Sequence, residues 1–285
     1  MLKPQVRAYL LNIGEFLEEE RGEPLCARAA EWLDDTRREK ADRCRQGRAR
    51  AAAVGAGLLL QLGMQELSKG EDAECRSNPE GEDAVCRGNP ESEDAECRSN
   101  PEGEDAVCRS NPAGGAAGGR VLWQELTVTG LLDRLRVRSS LTYTYGEKGK
   151  PFLQGCPWYF SLSHSGDYVL CAFSRREVGA DLQRIESVDT GKLAGRFFAA
   201  QECKALEACG TERSGRRLFF ELWARKEALG KLTGQGVAGM LGRNMLEGGA
   251  EEPEWLEVPA PEGYAAAVCL RGKEISFTGV EQWDD

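Results

Sequence analysis

At 285 residues and 41% hydrophobic, the chain is long enough to bury the core of one large domain or two small ones, and in bulk it reads as a soluble globular protein. Met1 to Phe16 lacks a basic start followed by an apolar core, and the longest apolar run, Ala51 to Leu60, is too short to span a bilayer, so neither a targeting signal nor a membrane helix is expected. The formal net charge of −10 is local: between Gly70 and Ala113, 13 Asp and Glu stand against four Arg, which leaves the rest of the chain almost neutral and makes bulk charge uninformative about partners.

Eleven cysteines could suit a disulfide framework, but the number is odd and no C-x-x-C pair occurs, so the reduced thiols of a cytoplasmic protein are expected. In chain order, Val6 to Ile13 (VRAYLLNI) predicts a strand and Pro24 to Gly70 a helical region. Within that region Arg37, Arg38, Lys40, Arg43, Arg45, Arg48 and Arg50 cluster ahead of the apolar Ala51 to Leu60. A solvated helix face is the plain reading of such a run. A one-sided cluster in a nearly neutral fold would equally suit a polyanion such as a phosphate.

From Gly70 the sequence repeats itself. GEDAECRSNPE recurs as GEDAVCRGNPE, SEDAECRSNPE and GEDAVCRSNPA, four units of eleven residues ending at Ala113. Each unit carries Asn-Pro and almost no large apolar residue, so no helical seam can form and disorder is expected. Cys75, Cys86, Cys97 and Cys108 recur with the unit at spacings unlike tight metal-ligand motifs. Gly114 to Gly119 follows as a flexible linker.

After the linker, Val121 to Gly146 reads as irregular, closing on a strand at Leu141 to Tyr145, and Gly146 to Pro151 is a lysine-bearing turn. Phe160 to Gln183 then predicts consecutive strands that join the only histidine, His164 in Ser161-Leu-Ser-His-Ser-Gly166, to an acid in Val178-Gly-Ala-Asp-Leu-Gln183. The period of two places Gly179, Asp181 and Gln183 on one face, so the Asp181 carboxylate points out beside a glycine that leaves room for a ligand. Its plainer role is to cap a following element. Gly191 to Phe198 and Gln201 to Ala208 read as short helices, and Arg217 to Leu232 as the strongest helix of the chain, with Trp223, Glu227 and Lys231 on one face. Strand-like Tyr264 to Leu270 and Ile275 to Val280 complete a second α+β half.

Several chemistries are excluded or disfavoured. One histidine cannot make an H-E-x-x-H zinc site, and no G-x-S-x-G elbow accompanies it. Gly234 to Gly239 matches G-x-G-x-x-G only as letters, because it follows a helix and no strand. Basic residues without interleaved aromatics give little support to nucleic-acid binding. What remains suits a phosphate ligand with a divalent metal: Asp181 and Glu227 as hard oxygen ligands, with Lys150, His164, Lys231 and the Arg37 to Lys40 cluster as anion donors. Mg²⁺ commonly takes only one or two protein carboxylates and fills its other positions with water and phosphate oxygens.

Gly149-Lys-Pro151, Phe160-Ser-Leu-Ser-His-Ser-Gly166, Val178-Gly-Ala-Asp181, Arg196-Phe-Phe-Ala-Ala-Gln-Glu202 and Trp223-Ala-Arg-Lys-Glu-Ala-Leu-Gly-Lys231 stand in the order seen in the 4′-phosphopantetheinyl transferase superfamily. The resemblance is to the surfactin-synthetase-activating, Sfp-like type. It covers the chain apart from the repeats, more loosely over the first 60 residues, where Arg37 to Lys40 carry it. It implies two similar α+β subdomains related by a pseudo-two-fold axis: 1–69 with 120–175, and 176–285 with the metal site. The repeats and linker, 70–119, form a disordered insert in the first. It also implies an enzyme that moves the 4′-phosphopantetheine arm of coenzyme A to a serine of an acyl or peptidyl carrier protein. Adenosine 3′,5′-bisphosphate leaves, and the reaction takes place on a cytoplasmic, monomeric, Mg²⁺-dependent protein.

Carried over residue by residue, the resemblance makes Asp181 and Glu227 the ligands that hold Mg²⁺ against the pyrophosphate. Ser163, His164 and Lys150 would contact the coenzyme's phosphates, and Lys40 with Arg37 or Arg38 its 3′-phosphate. Glu202 would be the general base and Lys231 would neutralise the transferring phosphoryl group. Gln183 stands where many members have a third acid, which leaves it a neutral or water-mediated ligand, and Ala180 replaces a larger aliphatic residue. The alternative is a catalytically weakened relative that acts as a coenzyme A-binding or protein-interaction module through its acidic repeats. Loading of a carrier by the pure protein separates the two.

Overall fold

Residues 5–45, 47–75, 121–246 and 253–272 are described by the computed structural model. Nine strands and seven α-helices follow one another among them, giving a mixed α+β fold. In chain order they are β1 (Val6–Asn12), α1 (Gly22–Ala30), α2 (Asp35–Asp42), α3 (Gly47–Cys75), β2 (Val121–Leu126), α4 (Val128–Arg134), β3 (Tyr143–Tyr145), β4 (Pro151–Leu153), β5 (Tyr159–Ser165), β6 (Tyr168–Ser174), β7 (Val178–Arg184), α5 (Thr190–Phe197), α6 (Ala200–Glu207), α7 (Glu212–Thr233), β8 (Glu254–Leu256) and β9 (Tyr264–Leu270).

Two sheets lie face to face between two long helices. The first has strand order β2-β1-β6-β5 and the second β7-β9-β8. Strand β1 is buried on both faces over Ala8 to Leu11, so that stretch is continuously apolar instead of alternating. Tyr9 and Leu11 pack with α3, and Ala8 and Leu10 pack with Val178, Ala180 and Leu182 of β7. On the far side of the second sheet, Ala265, Ala267 and Cys269 of β9 pack under Phe219, Leu222 and Leu229 of α7. The small Ala180 therefore fills an inter-sheet position and is fully buried there.

Two expectations change. Val121 to Leu126, read as irregular, is a strand pairing in parallel with β1, from Val6 with Val121 to Leu11 with Leu126. A parallel partner comes from a distant part of the chain, and a six-residue strand with a mixed pattern shows no such pairing locally. The first six residues of the first repeat, Gly70 to Cys75, continue the backbone of α3 instead of starting a disordered segment, because once a helix is nucleated each added residue gains a hydrogen bond. Residues 76–119 of the repeats and linker, and the expected strand at Ile275 to Val280, lie outside the described residues. The stretch after α4 is held by two buried glutamines of α3. Gln65 Oε1 accepts from the backbone N–H of Arg136 and Val137, and Gln61 exchanges two hydrogen bonds with the Ser139 backbone.

Candidate active site

Strands β5 and β7 belong to different sheets, and serine side chains do the work of a backbone ladder between them. Ser161, Ser163 and Ser165 accept from the N–H groups of Ala180, Leu182 and Arg184 at 2.9, 3.2 and 2.9 Å. Two strands of the same side-chain period meet residue for residue, and this explains the S-x-S-x-S pattern around His164. The middle serine does a second thing: its hydroxyl donates to Asp181 Oδ1 at 2.7 Å.

Asp181 is 2% exposed and its carboxylate is gripped on both oxygens. Oδ1 also accepts from Lys231 Nζ at 2.6 Å, and Oδ2 accepts from Gln183 Nε2 at 2.8 Å. Lys231 comes from the last turns of α7, and α7 can lie this close to β7 because of Gly179. A Cβ at Gly179 would overlap the Ala228 carbonyl oxygen and touch Leu232. The expectation that Gly179 leaves room for a ligand is thus corrected: the room is taken by the α7 backbone, and the glycine serves the site by letting the helix dock. Gly179→Val is expected to push α7 off the sheet and cost several kcal/mol, read as lost thermal stability.

Glu227 stands one turn before Lys231. Burial, and then the Asp181 charge, hold its carboxyl above the usual glutamate range, with Lys231 pulling the other way. Two carboxylates close enough to repel suit a divalent cation between them. Among the described residues no group of three or more His, Cys, Asp or Glu side chains is arranged around a metal position. The donor set of two acids and an amide fits an ion such as Mg²⁺ that draws the rest of its shell from water and phosphate.

Beside this cluster opens a cleft of about 450 Å³. Its walls are the face of α2 that carries Thr36, Arg37, Lys40 and Arg43, the β3–β4 turn with Lys148 and Lys150, Phe160 to Leu162 of β5, and the end of α7 with Gly230 and Lys231. Six of the lining residues are cations and none is an acid. Helix α7 ends at Gly234, whose φ of 72° permits the left-handed turn, and Gly236 N–H closes it on the Gly230 carbonyl at 3.0 Å. Crowding shows in the lysines. Lys40 is pushed down by burial and then by Arg37, and Lys150 by burial, with Glu177 opposing.

The sequence-derived site residues divide. Asp181, Gln183, Glu227 and Lys231 come together, and Arg37, Lys40 and Lys150 join them around the cleft. Lys150 Nζ donates to the Leu232 carbonyl at 2.6 Å, near the end of α7, so it also ties the turn to that helix. His164 is exposed and feels Lys231, Lys40 and Asp181, yet burial first and those two lysines next lower its pKa. In the free protein these groups favour the neutral imidazole. Ser163 is spent on Asp181 and the Leu182 N–H. Arg38 donates to the Glu31 carbonyl on a different side of α2, since residues 37 and 40 share a face and 38 does not.

Glu202 is the main correction. It is fully buried, paired with fully buried Lys226 at 2.8 Å, and accepts from the Ala199 and Met245 N–H groups. Lys226 also donates to the Arg243 carbonyl and lies over the Phe198 ring. Glu202 caps α6 and forms a core ion pair, which is the setting of a structural residue. Sequence reasoning under-used Arg43 and missed Lys148. Arg43 was visible at helical spacing from Arg37 and Lys40, whereas Lys148 had only its place in the Gly146 to Pro151 turn.

An α+β fold thus sets a cleft rich in cations beside the Asp181–Lys231 pair and Glu227, an arrangement that suits a phosphate-bearing ligand. Residues 177–268 match the model of the 4′-phosphopantetheinyl transferase superfamily. The 4′-phosphopantetheinyl transferases psf-1 of Bacillus pumilus, gsp of Aneurinibacillus migulanus and Sfp of Bacillus subtilis are 43% identical over 91 residues, 37% over 98 and 31% over 102. These alignments take in 32%, 34% and 35% of this chain, and 38%, 40% and 45% of the relatives, so the chain spans less than half the length of these three curated relatives. The chain thus resembles the Sfp-like 4′-phosphopantetheinyl transferases through the segment that bears Asp181, Glu227 and Lys231.

Proposed function

We propose that the protein transfers the 4′-phosphopantetheine moiety of coenzyme A to a serine of an acyl or peptidyl carrier protein, as a Mg²⁺-dependent, cytoplasmic, monomeric holo-acyl-carrier-protein synthase. The observation that carries this reading is the Asp181–Lys231–Glu227 cluster at the end of a cationic cleft, inside the segment that matches the superfamily. Arg37, Lys40 and Lys150, with Arg43 and Lys148, supply the positive field for the coenzyme's phosphates. Asp181 and Glu227 would hold Mg²⁺, with Gln183 as a neutral neighbour, and the ion when bound would supply charge neutralisation at the pyrophosphate.

The carrier serine oxygen attacks the β-phosphorus, and the bond from that phosphorus to the bridging oxygen breaks. The electron pair leaves on adenosine 3′,5′-bisphosphate, whose growing charge Lys231 is placed to offset. With Glu202 buried in the core, Glu227 is the carboxylate available to take the serine proton. The two halves, each a sheet covered by one long helix, support the reading of subdomains related by a pseudo-two-fold axis, 1–69 with 120–175 and 176–285. Among the described residues no helix is long and apolar enough to cross a membrane.

The test is incubation of the pure protein with coenzyme A, Mg²⁺ and a panel of apo carriers, with carrier mass as readout. Loading that chelation abolishes is the expected result. Coenzyme A binding without loading of any carrier would favour the interaction-module alternative. The titration of Glu227 adds a pH arm. Protonation competes with the metal, so Mn²⁺ affinity measured by titration should fall on acidification, beginning above the ordinary glutamate value of about 4.3 because the folded-state pKa is raised. Affinity that is flat down to that value would remove Glu227 from the metal site.

The repeats are expected to be dispensable for the chemistry. None of the proposed site residues lies between 76 and 119. Loop closure grows only logarithmically with length, so the insertion costs on the order of 1–2 kcal/mol. Replacement of residues 76–119 by a short Gly/Ser linker should preserve carrier loading. Lost loading with coenzyme A binding intact would make the repeats part of carrier recognition.

A further inference from the structure

Arg37 is 8% exposed although it lines the cleft, and it is held by groups to which no role in the site has been given. Its guanidinium lies over the Tyr143 ring, 5.3 Å from the centroid. The Tyr143 hydroxyl donates to Asp34 Oδ2 at 2.9 Å, and Asp34 Oδ1 accepts the backbone N–H of Arg37 itself at 3.1 Å. Asp34 is 3% exposed and is the N-cap of α2, which carries Arg37, Lys40 and Arg43 into the cleft. Tyr143 is on β3, whose hairpin carries Tyr145, Lys148 and Lys150 into the opposite wall.

One buried carboxylate and one phenol therefore fix both the start of the cationic helix and the rotamer of its most buried cation, and link that helix to the lysine-bearing turn. An arginine has about 2 kcal/mol of rotamer entropy to lose on gripping an anion. Clamping it beforehand, between an aromatic face and a capped helix, removes part of that loss. A helix cap alone needs only one carboxylate oxygen. The second oxygen, the phenol and the ring are the surplus that points to a function.

We propose that Tyr143 and Asp34 are positioning residues which preset Arg37 for the phosphates of the nucleotide part of the substrate. The proposal rests on the reading of the cleft as the coenzyme's phosphate pocket.

The probe is adenosine 3′,5′-bisphosphate, whose affinity is measured by calorimetry without any reaction. Tyr143→Phe keeps the ring and removes the bond to Asp34, and Tyr143→Leu removes both. Affinity should weaken about threefold in the first and about tenfold in the second, the span expected of one hydrogen bond to a charged group and one cation–π contact. The turnover number at saturating coenzyme A should stay within about twofold, so that the effect sits in KM. The deciding measurement is the cycle with Arg37→Ala. If Tyr143 acts through Arg37, Tyr143→Phe should change affinity by less than about twofold in that background. A merely structural role lowers the melting temperature and leaves the affinity ratio the same in both backgrounds. Equal affinity of Tyr143→Phe and the unaltered protein, or full additivity in the cycle, overturns the proposal. Failure of the unaltered protein to bind the probe overturns the reading of the cleft and the proposal with it. Should Tyr143→Leu not fold, Tyr143→Phe with the cycle decides alone.

Discussion

Asp181→Asn and Glu227→Gln are each expected to lower carrier loading by about 10³-fold or more while leaving the protein folded. Each substitution keeps the size of the side chain and removes one of the two negative charges that face the metal position. Loss of a single electrostatic element aimed at the reacting centre costs on the order of 10² to 10³, and here loss of the metal would be added to it. Folding should survive because the partners left behind can still be satisfied. In Asp181→Asn the amide oxygen can accept from Ser163 and Lys231, and Lys231, with 30% of its side chain exposed, can regain water. The check is carrier mass after timed incubation, with melting temperature and Mn²⁺ affinity alongside. Normal loading by either variant would refute the site. Lost loading accompanied by a collapse in melting temperature would show that the Asp181 cluster is structural.

The second large effect belongs to stability. Lys226 and Glu202 are both fully buried, so the loss of either leaves a charge stranded without water, at a cost of about 3–5 kcal/mol. At roughly 2–4 °C per kcal/mol for a chain of this size, Glu202→Gln or Lys226→Met should lower the melting temperature by about 10 °C. Glu202→Gln would also leave one of the Ala199 and Met245 N–H groups without its acceptor, and Lys226→Met would take the donor from the Arg243 carbonyl, each loosening the loop that follows α7. Replacing both residues together with apolar ones should be milder than either single change, since no lone charge remains. A general base would behave in the opposite way, with turnover lost and melting temperature kept. That result for Glu202→Gln would reinstate Glu202 as a catalytic residue.

The difference between Glu202 and Glu227 shows where the sequence stops. Both are glutamates in recognisable motifs, and both precede or follow an aromatic pair or tryptophan at helical spacing. Only the packing of α6 against α7 decides that Glu202 turns inward to Lys226. Only the docking of α7 on β7, through Gly179, brings Glu227 near Asp181. Ser163 is a similar case. Its motif suggested a phosphate donor, but alignment of β5 beside β7 commits its hydroxyl to Asp181 and the Leu182 N–H.

What the sequence alone determined was local or periodic: the strand faces of Val178 to Gln183, the presence of α7 though not its start at Glu212, the turn at Gly149, the basic face of α2 and the separation of the acidic repeats from a nearly neutral fold. These follow from side-chain period, helix spacing and glycine chemistry, which act within a few residues. Tertiary structure alone decided the parallel pairing of β2 with β1, the serine ladder between sheets, the burial of Glu202 and the convergence of α2, the β3–β4 turn and α7 on one cationic cleft. The physical reason is that each of these depends on which groups lose water against which others. That is settled by the closing of segments more than a hundred residues apart, as with Asp34 and Tyr143, and leaves no mark in local pattern.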